Sequence, residues 1–285
     1  MPDQKELTVG EMRAMFNGLI HEVRTGLNSA IGFAHIIAND ERLPGSTIED
    51  ATIIKQSAQN TVAICNDYVE IFRLLSGEMM PEAGPRQPVD LPALVEECLR
   101  YPVQEIVARQ NERQARQADR FRDGAMDAEE LKAIRYVMSL MNQTVEDYFA
   151  PIELTQLVIV EQPAALPPLS LRPEALRQTL TSLHRLMVAL GGEKRLIQLC
   201  SEPGSVQLRC QLNVPRRNRG VAETALAFWL GLDEATPFSH YFENRRVALL
   251  ALWRQSVPAE LRLSHRPDAT PSCDHLTIDL VFPTE

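Results

Sequence analysis

Leu19-Ile20-His21-Glu22-Val23-Arg24-Thr25-Gly26-Leu27-Asn28-Ser29-Ala30-Ile31-Gly32-Phe33 is the stretch whose reading decides the fold. Working outward from it, Phe16, Leu19, Val23, Gly26, Ala30, Phe33 and Ile37 recur at alternating steps of three and four. That spacing predicts one helix from about Val9 to Asn39, with these residues as the seam of a helical bundle. A second stripe, Ile20, Leu27, Ile31 and Ala34, widens the apolar face. So wide a face needs more than one neighbour to cover it.

The polar run Asn39 to Gly45 breaks the pattern, and Ser46 with Glu49 three positions on reads as a capping box opening a second helix. The seam of that helix is Ile54, Ala58, Thr61, Cys65, Tyr68, Phe72 and Leu75. Two antiparallel helices of this length cannot bury both stripes alone. A homodimer is therefore expected, in which two hairpins pair about a two-fold axis as a four-helix bundle.

His21 lies off the Leu19/Val23 seam, so its ring is expected to face solvent. Histidine titrates near neutrality, and an exposed imidazole offers a nitrogen lone pair at physiological pH. Glu22, next in sequence, is the natural acceptor for the other ring proton. Thr25 and Asn28 follow at i+4 and i+7, on the same side of the helix. A lone His-Glu pair on a bundle helix is usually just a surface pair. The whole phrase around this one argues for chemistry.

The phrase resembles the histidine-box helix of sensor histidine kinases, which usually reads H-E-(L/I)-R-T-P-L-N followed by a small residue and I-x-G. The end of the second helix, Ile71-Phe72-Arg73-Leu74-Leu75-Ser76-Gly77, is similar to the phrase that closes the hairpin in that family. Gly26 departs from the usual proline; both residues weaken a helix interior, so a bend there is less enforced. The resemblance implies that His21 accepts a phosphoryl group. It also implies that Thr25 positions the water that dephosphorylates a response regulator.

Gly77, Pro81, Gly84, Pro85 and Pro88 mark a linker at 81–90, separating a hairpin domain at 1–80 from a second domain at 91–285. In the second domain, helix is expected at Leu91–Leu99, followed by a helical insertion at about 103–150 whose first half is almost wholly polar and reads as a solvated arm or hairpin. A β-branched run spans Gln156–Val160, and an amphipathic helix spans Glu174–Leu190. Two strands flank the turn Glu202-Pro203-Gly204, helices recur at Glu223–Leu232 and Asn244–Arg254, and strands at Glu260–Ser264 and Leu276–Phe282. The fold class is α+β: a helical hairpin followed by an α/β sandwich.

The second domain is similar in outline to the ATP-binding domain of the same kinases. Pro173-Glu174-Ala175-Leu176-Arg177-Gln178-Thr179-Leu180 resembles the lead-in to its nucleotide-binding helix. The family's asparagines, one of them a magnesium ligand, fall here at Ser182 and Leu186. The adenine-binding aspartate falls at Arg216, where only Gly220 of the surrounding glycines survives. Asn244-Arg245-Arg246-Val247-Ala248-Leu249-Leu250 stands at G-x-G-L-A-I-V with both glycines gone. Glycines in such loops let the backbone approach phosphates. Losing the adenine acceptor and the metal ligand costs about 3–6 kcal/mol, about two to four decades of affinity. A degenerate domain without a nucleotide cofactor is expected.

Composition narrows the field further. A net charge of −9 over 285 residues argues against a nucleic-acid partner. No apolar run approaches the length of a membrane span, and the polar, acidic start is expected to be neither signal peptide nor anchor. The odd, scattered cysteines (Cys65, Cys98, Cys200, Cys210 and Cys273) read as free thiols of a reducing cytoplasm. His184, His240, His265 and His275 lack metal-ligand spacing, and Arg216, Arg217, Arg219, Arg245 and Arg246 read as basic surface before they read as an anion site.

The expected function is phosphorelay without ATP-dependent autophosphorylation. His21 exchanges a phosphoryl group with response-regulator aspartates, and magnesium comes from the partner's receiver domain. A sensor kinase is a further partner. The rival readings are a pseudokinase adaptor whose hairpin is only a docking surface, favoured by the insertion, and an active kinase with an atypical ATP site.

Overall fold

The computed structural model describes residues 9–40, 42–78, 85–141, 143–153, 158–162, 165–191, 195–215, 218–231, 238–267 and 273–284. These form two compact units, one of Met1–Met80 with Glu234–Leu252 and one of Pro81–Asp233 with Trp253–Glu285.

Helix α1 (Val9–Ala38) runs unbroken through Gly26 and pairs with α2 (Gly45–Leu75) as a hairpin. Between them, Arg42 grips the carboxylate of Asp40 with Nε at 2.8 Å and Nη2 at 2.7 Å. The helix opens ahead of the Ser46 expected to start it. Pro44 takes the N-cap position at φ −56° and ψ 143°, without a side-chain cap. Its carbonyl accepts from the amides of Thr47 and Ile48. Proline's fixed φ sets the extended residue that launches the helix, which leaves Ser46 already inside the first turn.

The two apolar stripes of α1 exchange the roles read from their spacing. Ile20 and Ala34 are buried and Leu27 and Ile31 half-buried, while Ala51, Ala58 and Cys65 are buried on α2. The stripe expected as the seam stays open: Leu19 is 62% and Phe33 69% exposed, with Val23 and Ile37 also accessible.

Two further helices belong wholly or largely to this unit. These are α9 (Phe238–Glu243) and α10 (Arg245–Arg254), and the boundary between units falls inside α10, after Leu252. Phe242 meets Tyr68 edge-on at 5.2 Å between ring centroids and Phe16 at 6.5 Å. Phe16 in turn stacks on Phe72 at 5.1 Å. Arg245 Nε lies 3.3 Å from Asp67 Oδ2, and Arg13 Nε lies 2.8 Å from Glu78 Oε1.

In the second unit, β1 (Gln87–Val89) leads through the N-cap Asp90, which accepts from the Ala93 amide at 3.0 Å, into α3 (Leu91–Val95). A π-helical turn (Glu96–Arg100) joins α3 to α4 (Tyr101–Arg122). With α5 (Ala128–Met141) and α6 (Val145–Tyr148), α4 makes the insertion a closed hairpin. Asn111 clasps Ile152 with both ends of its amide, accepting from its N–H at 2.8 Å and donating to its carbonyl at 3.0 Å. Arg120 pairs with Glu130 at 2.8 Å, and Phe121 meets Phe149 at 5.5 Å.

The rest of the unit consists of β2 (Val158–Glu161), β3 (Leu169–Leu171), α7 (Pro173–Leu190), β4 (Arg195–Glu202), β5 (Ser205–Pro215), α8 (Arg219–Leu230), β6 (Glu260–Pro267) and β7 (Cys273–Pro283). The larger sheet has the order β2-β4-β5-β7-β6, with β2 and β4 parallel and the other pairs antiparallel. Strand β3 pairs with β1 in a separate antiparallel ribbon. Val206, Leu208, Cys210, Leu212 and Val214 on β5 and Leu276, Ile278, Leu280 and Phe282 on β7 are buried, so half-buried strands pack their inner faces under helices α7 and α8. Gly204 turns β4 into β5 at φ 80°, which a side chain would resist. The fold is thus a mixed α+β chain.

Candidate functional site

His21 stands near the middle of α1 on its exposed side, and its ring makes no hydrogen bond to any described residue. At about 100° per residue, Thr25 and Asn28 share its face, whereas the open apolar stripe of Leu19, Val23 and Ile37 lies on the far side of the helix. Both Thr25 and Asn28 are exposed. The Thr25 hydroxyl donates to the His21 carbonyl at 2.9 Å, and the Ser29 hydroxyl donates to the Thr25 carbonyl at 3.1 Å. With its hydrogen committed to the backbone, Thr25 Oγ1 presents lone pairs outward and can hold a water only by accepting from it. Glu22 is exposed as well, but adjacent side chains on a helix do not face each other. It can therefore take the ring proton only after a ring rotation or through a water.

His35, on a nearby face of α1, has no such phrase around it. Its ring is already engaged: the Asn39 amide lies 2.9 Å and Lys55 Nζ 3.1 Å from Nδ1. The contrast leaves His21 as the exposed imidazole of the hairpin with an uncommitted ring.

In the second unit the positions expected to have lost nucleotide chemistry lie inside α7. Ser182 and Leu186 are each 1% exposed, part of the inward face that also carries Leu176, Leu180, Leu183, Met187 and Leu190. Thr179 is buried there and donates to the Ala175 carbonyl at 2.8 Å. Arg216 and Arg217 lie outside the described residues. Asn244, where a family glycine would stand, donates its side-chain amide to the His240 carbonyl at 3.2 Å.

Of the arginines considered as an anion site, Arg219 and Arg245 are engaged by carboxylates instead. Arg219 lies 3.2 Å from the buried Asp274 and 3.1 Å from Glu223, and Arg245 is held by Asp67. Burial, then Arg245, lowers the pKa of the half-buried Arg246 guanidinium. Of the other histidines, His265 lies 3.5 Å from Asp274, and His275 Nδ1 lies 2.8 Å from Asn213 Oδ1. Cys65, Cys98, Cys200 and Cys210 are free thiols, and burial pushes the Cys210 thiol up to about 12. Among the described residues no cluster of three or more His, Cys, Asp or Glu side chains is placed to hold a metal ion. No described helix is long and apolar enough to cross a membrane.

The chain is similar to histidine kinases of known structure. It matches the histidine kinase AdeS of Acinetobacter baumannii at 12% identity, covering 93% of this chain and 98% of that one, with a TM-score of 0.41. A histidine kinase of Burkholderia phymatum matches at 10% identity over 93% and 98%, with a TM-score of 0.32. A bacterial phosphotransferase matches at 11% over 96% and 98%, with a TM-score of 0.35. No protein-family model matches the sequence, and neither does any curated protein.

Proposed function

We propose that the protein is a histidine phosphotransfer component of two-component signalling that works without binding ATP. The observation that carries this reading is the exposed, uncommitted imidazole of His21 in the H-E-x-x-T phrase, with the Thr25 hydroxyl one turn away on the same face. A ring nitrogen of His21 attacks the phosphorus of an aspartyl phosphate on a receiver domain. The N–P bond forms, the P–O bond to the carboxylate breaks, and the aspartate leaves as carboxylate. The proton on the other ring nitrogen passes to solvent or to Glu22. Charge on the transferring group is offset by the magnesium that the receiver domain supplies, since phosphoryl transfer rests chiefly on positioning and electrostatics.

Two further features support the reading. Leu186 and Ser182, standing where the kinases carry asparagines, are core residues of α7, so the metal-ligating position has become part of the packing. The open stripe of Leu19, Val23, Phe33 and Ile37 with Ile54 on α2 is apolar surface of the kind that a second hairpin buries, giving a two-fold four-helix bundle. In that assembly the His21 faces point away from the pairing surface and stay open to receiver domains.

The test is incubation with candidate phosphorylated receiver domains, followed by mapping of acid-labile phosphate. Label on His21, absent from His21→Ala, is the expected result. A hairpin that binds a receiver domain but never carries phosphate would identify an adaptor instead.

A further inference from the structure

The stripe on α1 that begins at Phe16 is not open along its whole length. Its first member is half-buried and touches Phe72 and Phe242, while Leu19, Val23 and Phe33 above it are exposed. The stripe on α2 repeats the arrangement. Tyr68 and Phe72, at the open end of the hairpin, are half-buried, with Phe242 edge-on to Tyr68, whereas Ile54 near the turn is 54% exposed. One aromatic side chain from α9 therefore covers the lowest layer of both seams, and the Arg245–Asp67 ion pair ties the start of α10 to the same end of α2.

We propose that Phe238–Arg245 is a self-masking latch that occupies the end of the apolar seam and so competes with a second copy of the hairpin for it. This rests on the reading above that hairpins pair through these stripes. The latch is distant in sequence from the surface it covers. Its hold includes an edge-to-face aromatic contact, which is a modest interaction, and the Arg245–Asp67 pair, whose side chains are 23% and 14% exposed. Each partner hairpin would present its own Phe16, Tyr68 and Phe72 to the layer that Phe242 now fills. Docked, the latch weakens pairing; released, it exposes a longer continuous seam. A partner that captured Phe242 or Arg245 would thereby promote assembly of the bundle on which His21 stands.

The experiment uses the full chain. Self-association is measured by analytical ultracentrifugation for the wild type, Phe242→Ala, Arg245→Gln and, as a control on pairing, Val23→Asp. Amide exchange of residues 238–245 is followed as a function of protein concentration. Phe242→Ala and Arg245→Gln should each tighten dimerisation, the first by about tenfold, the equivalent of one aromatic contact, and latch amides should lose protection as dimer forms. If the wild type dimerises and Val23→Asp does not, but the latch variants dimerise no more tightly and the latch amides stay protected, pairing stands and the latch is wrong. If all four chains stay monomeric at high concentration, both pairing and competition are wrong. A monomeric wild type beside a dimeric Phe242→Ala is the strongest result in favour.

Discussion

The hydroxyl of Thr25 donates to the backbone carbonyl of His21 across one helical turn, at 2.9 Å. The threonine thus reaches the histidine through the helix rather than through the ring, and the two side chains can be separated by mutation. His21→Ala removes the nucleophile and should abolish all phosphate transfer. Thr25→Ala leaves the imidazole and places a good helix former, so transfer to His21 should persist. Net dephosphorylation of the receiver domain should fall, and Thr25→Ser, which keeps the oxygen, should restore it. The lifetime of a phosphorylated receiver domain in the presence of each variant reads both effects.

Gly26 sits in an unbroken helix, with no neighbouring atom within 4 Å of where a Cβ would stand. Gly26→Ala should therefore stabilise the chain by about 0.5–1 kcal/mol, seen as a higher urea midpoint. Gly26→Pro, which puts in the residue usual at this place in the kinases, should instead cost about 3 kcal/mol unless the helix bends. Circular dichroism and denaturant titration distinguish the two substitutions.

Restoring asparagines to α7 should not restore nucleotide binding. Leu186 is packed in the interior of its unit, so Leu186→Asn buries an amide and leaves a gap, at about 2–4 kcal/mol of stability. Calorimetry should detect no Mg-ATP binding to the wild type or to Ser182→Asn, with a dissociation constant weaker than about 1 mM. Tighter binding by the wild type would favour an active kinase.

Stability should also fall in mild acid because of His184. Burial first, then Arg195 and Arg185, lower its pKa from 6.5 to about 4. The folded state binds fewer protons there than the unfolded chain, so the contribution is whole above pH 6.5 and is lost as pH falls toward 4. Allowing for partial exposure of the ring, the loss is about 1–2 kcal/mol. Urea unfolding at pH 7.5 and pH 4.5 should show it in the wild type, and His184→Gln should flatten the difference.

Local patterns carried most of the fold. The periodicity of α1 and α2, the turn at Gly204 and the amphipathic stripe of α7 are short-range signals, and the elements lie where those signals put them, with ends shifted by a few residues. What the pattern could not assign was which stripe of α1 faces α2, because both satisfy helical spacing. The choice is made by tertiary packing, in which Ala34 on α1 and Ala51 and Ala58 on α2 are buried. The ribbon of β1 with β3 is not legible in the sequence, because three-residue strands leave no period to read. Of the site, His21, Glu22, Thr25 and Asn28 are legible as a contiguous phrase, whereas the Thr25 back-bond depends on side-chain rotamer and the engagement of Phe242 with Tyr68 on contacts between distant residues.

The clasp between Asn111 and Ile152 has a consequence for how this chain can change. It brings residues 41 positions apart to one point, so the insertion leaves and re-enters its unit through a single gate. Loop-closure entropy grows only with the logarithm of length, so whatever lies beyond that gate is nearly neutral for the unit that carries it. The arm is a cassette: it can be shortened, lengthened or exchanged at 112–151 while the sheet of the same unit keeps its register. New binding preferences can thus be grafted onto the chain without disturbing the helix that bears the histidine.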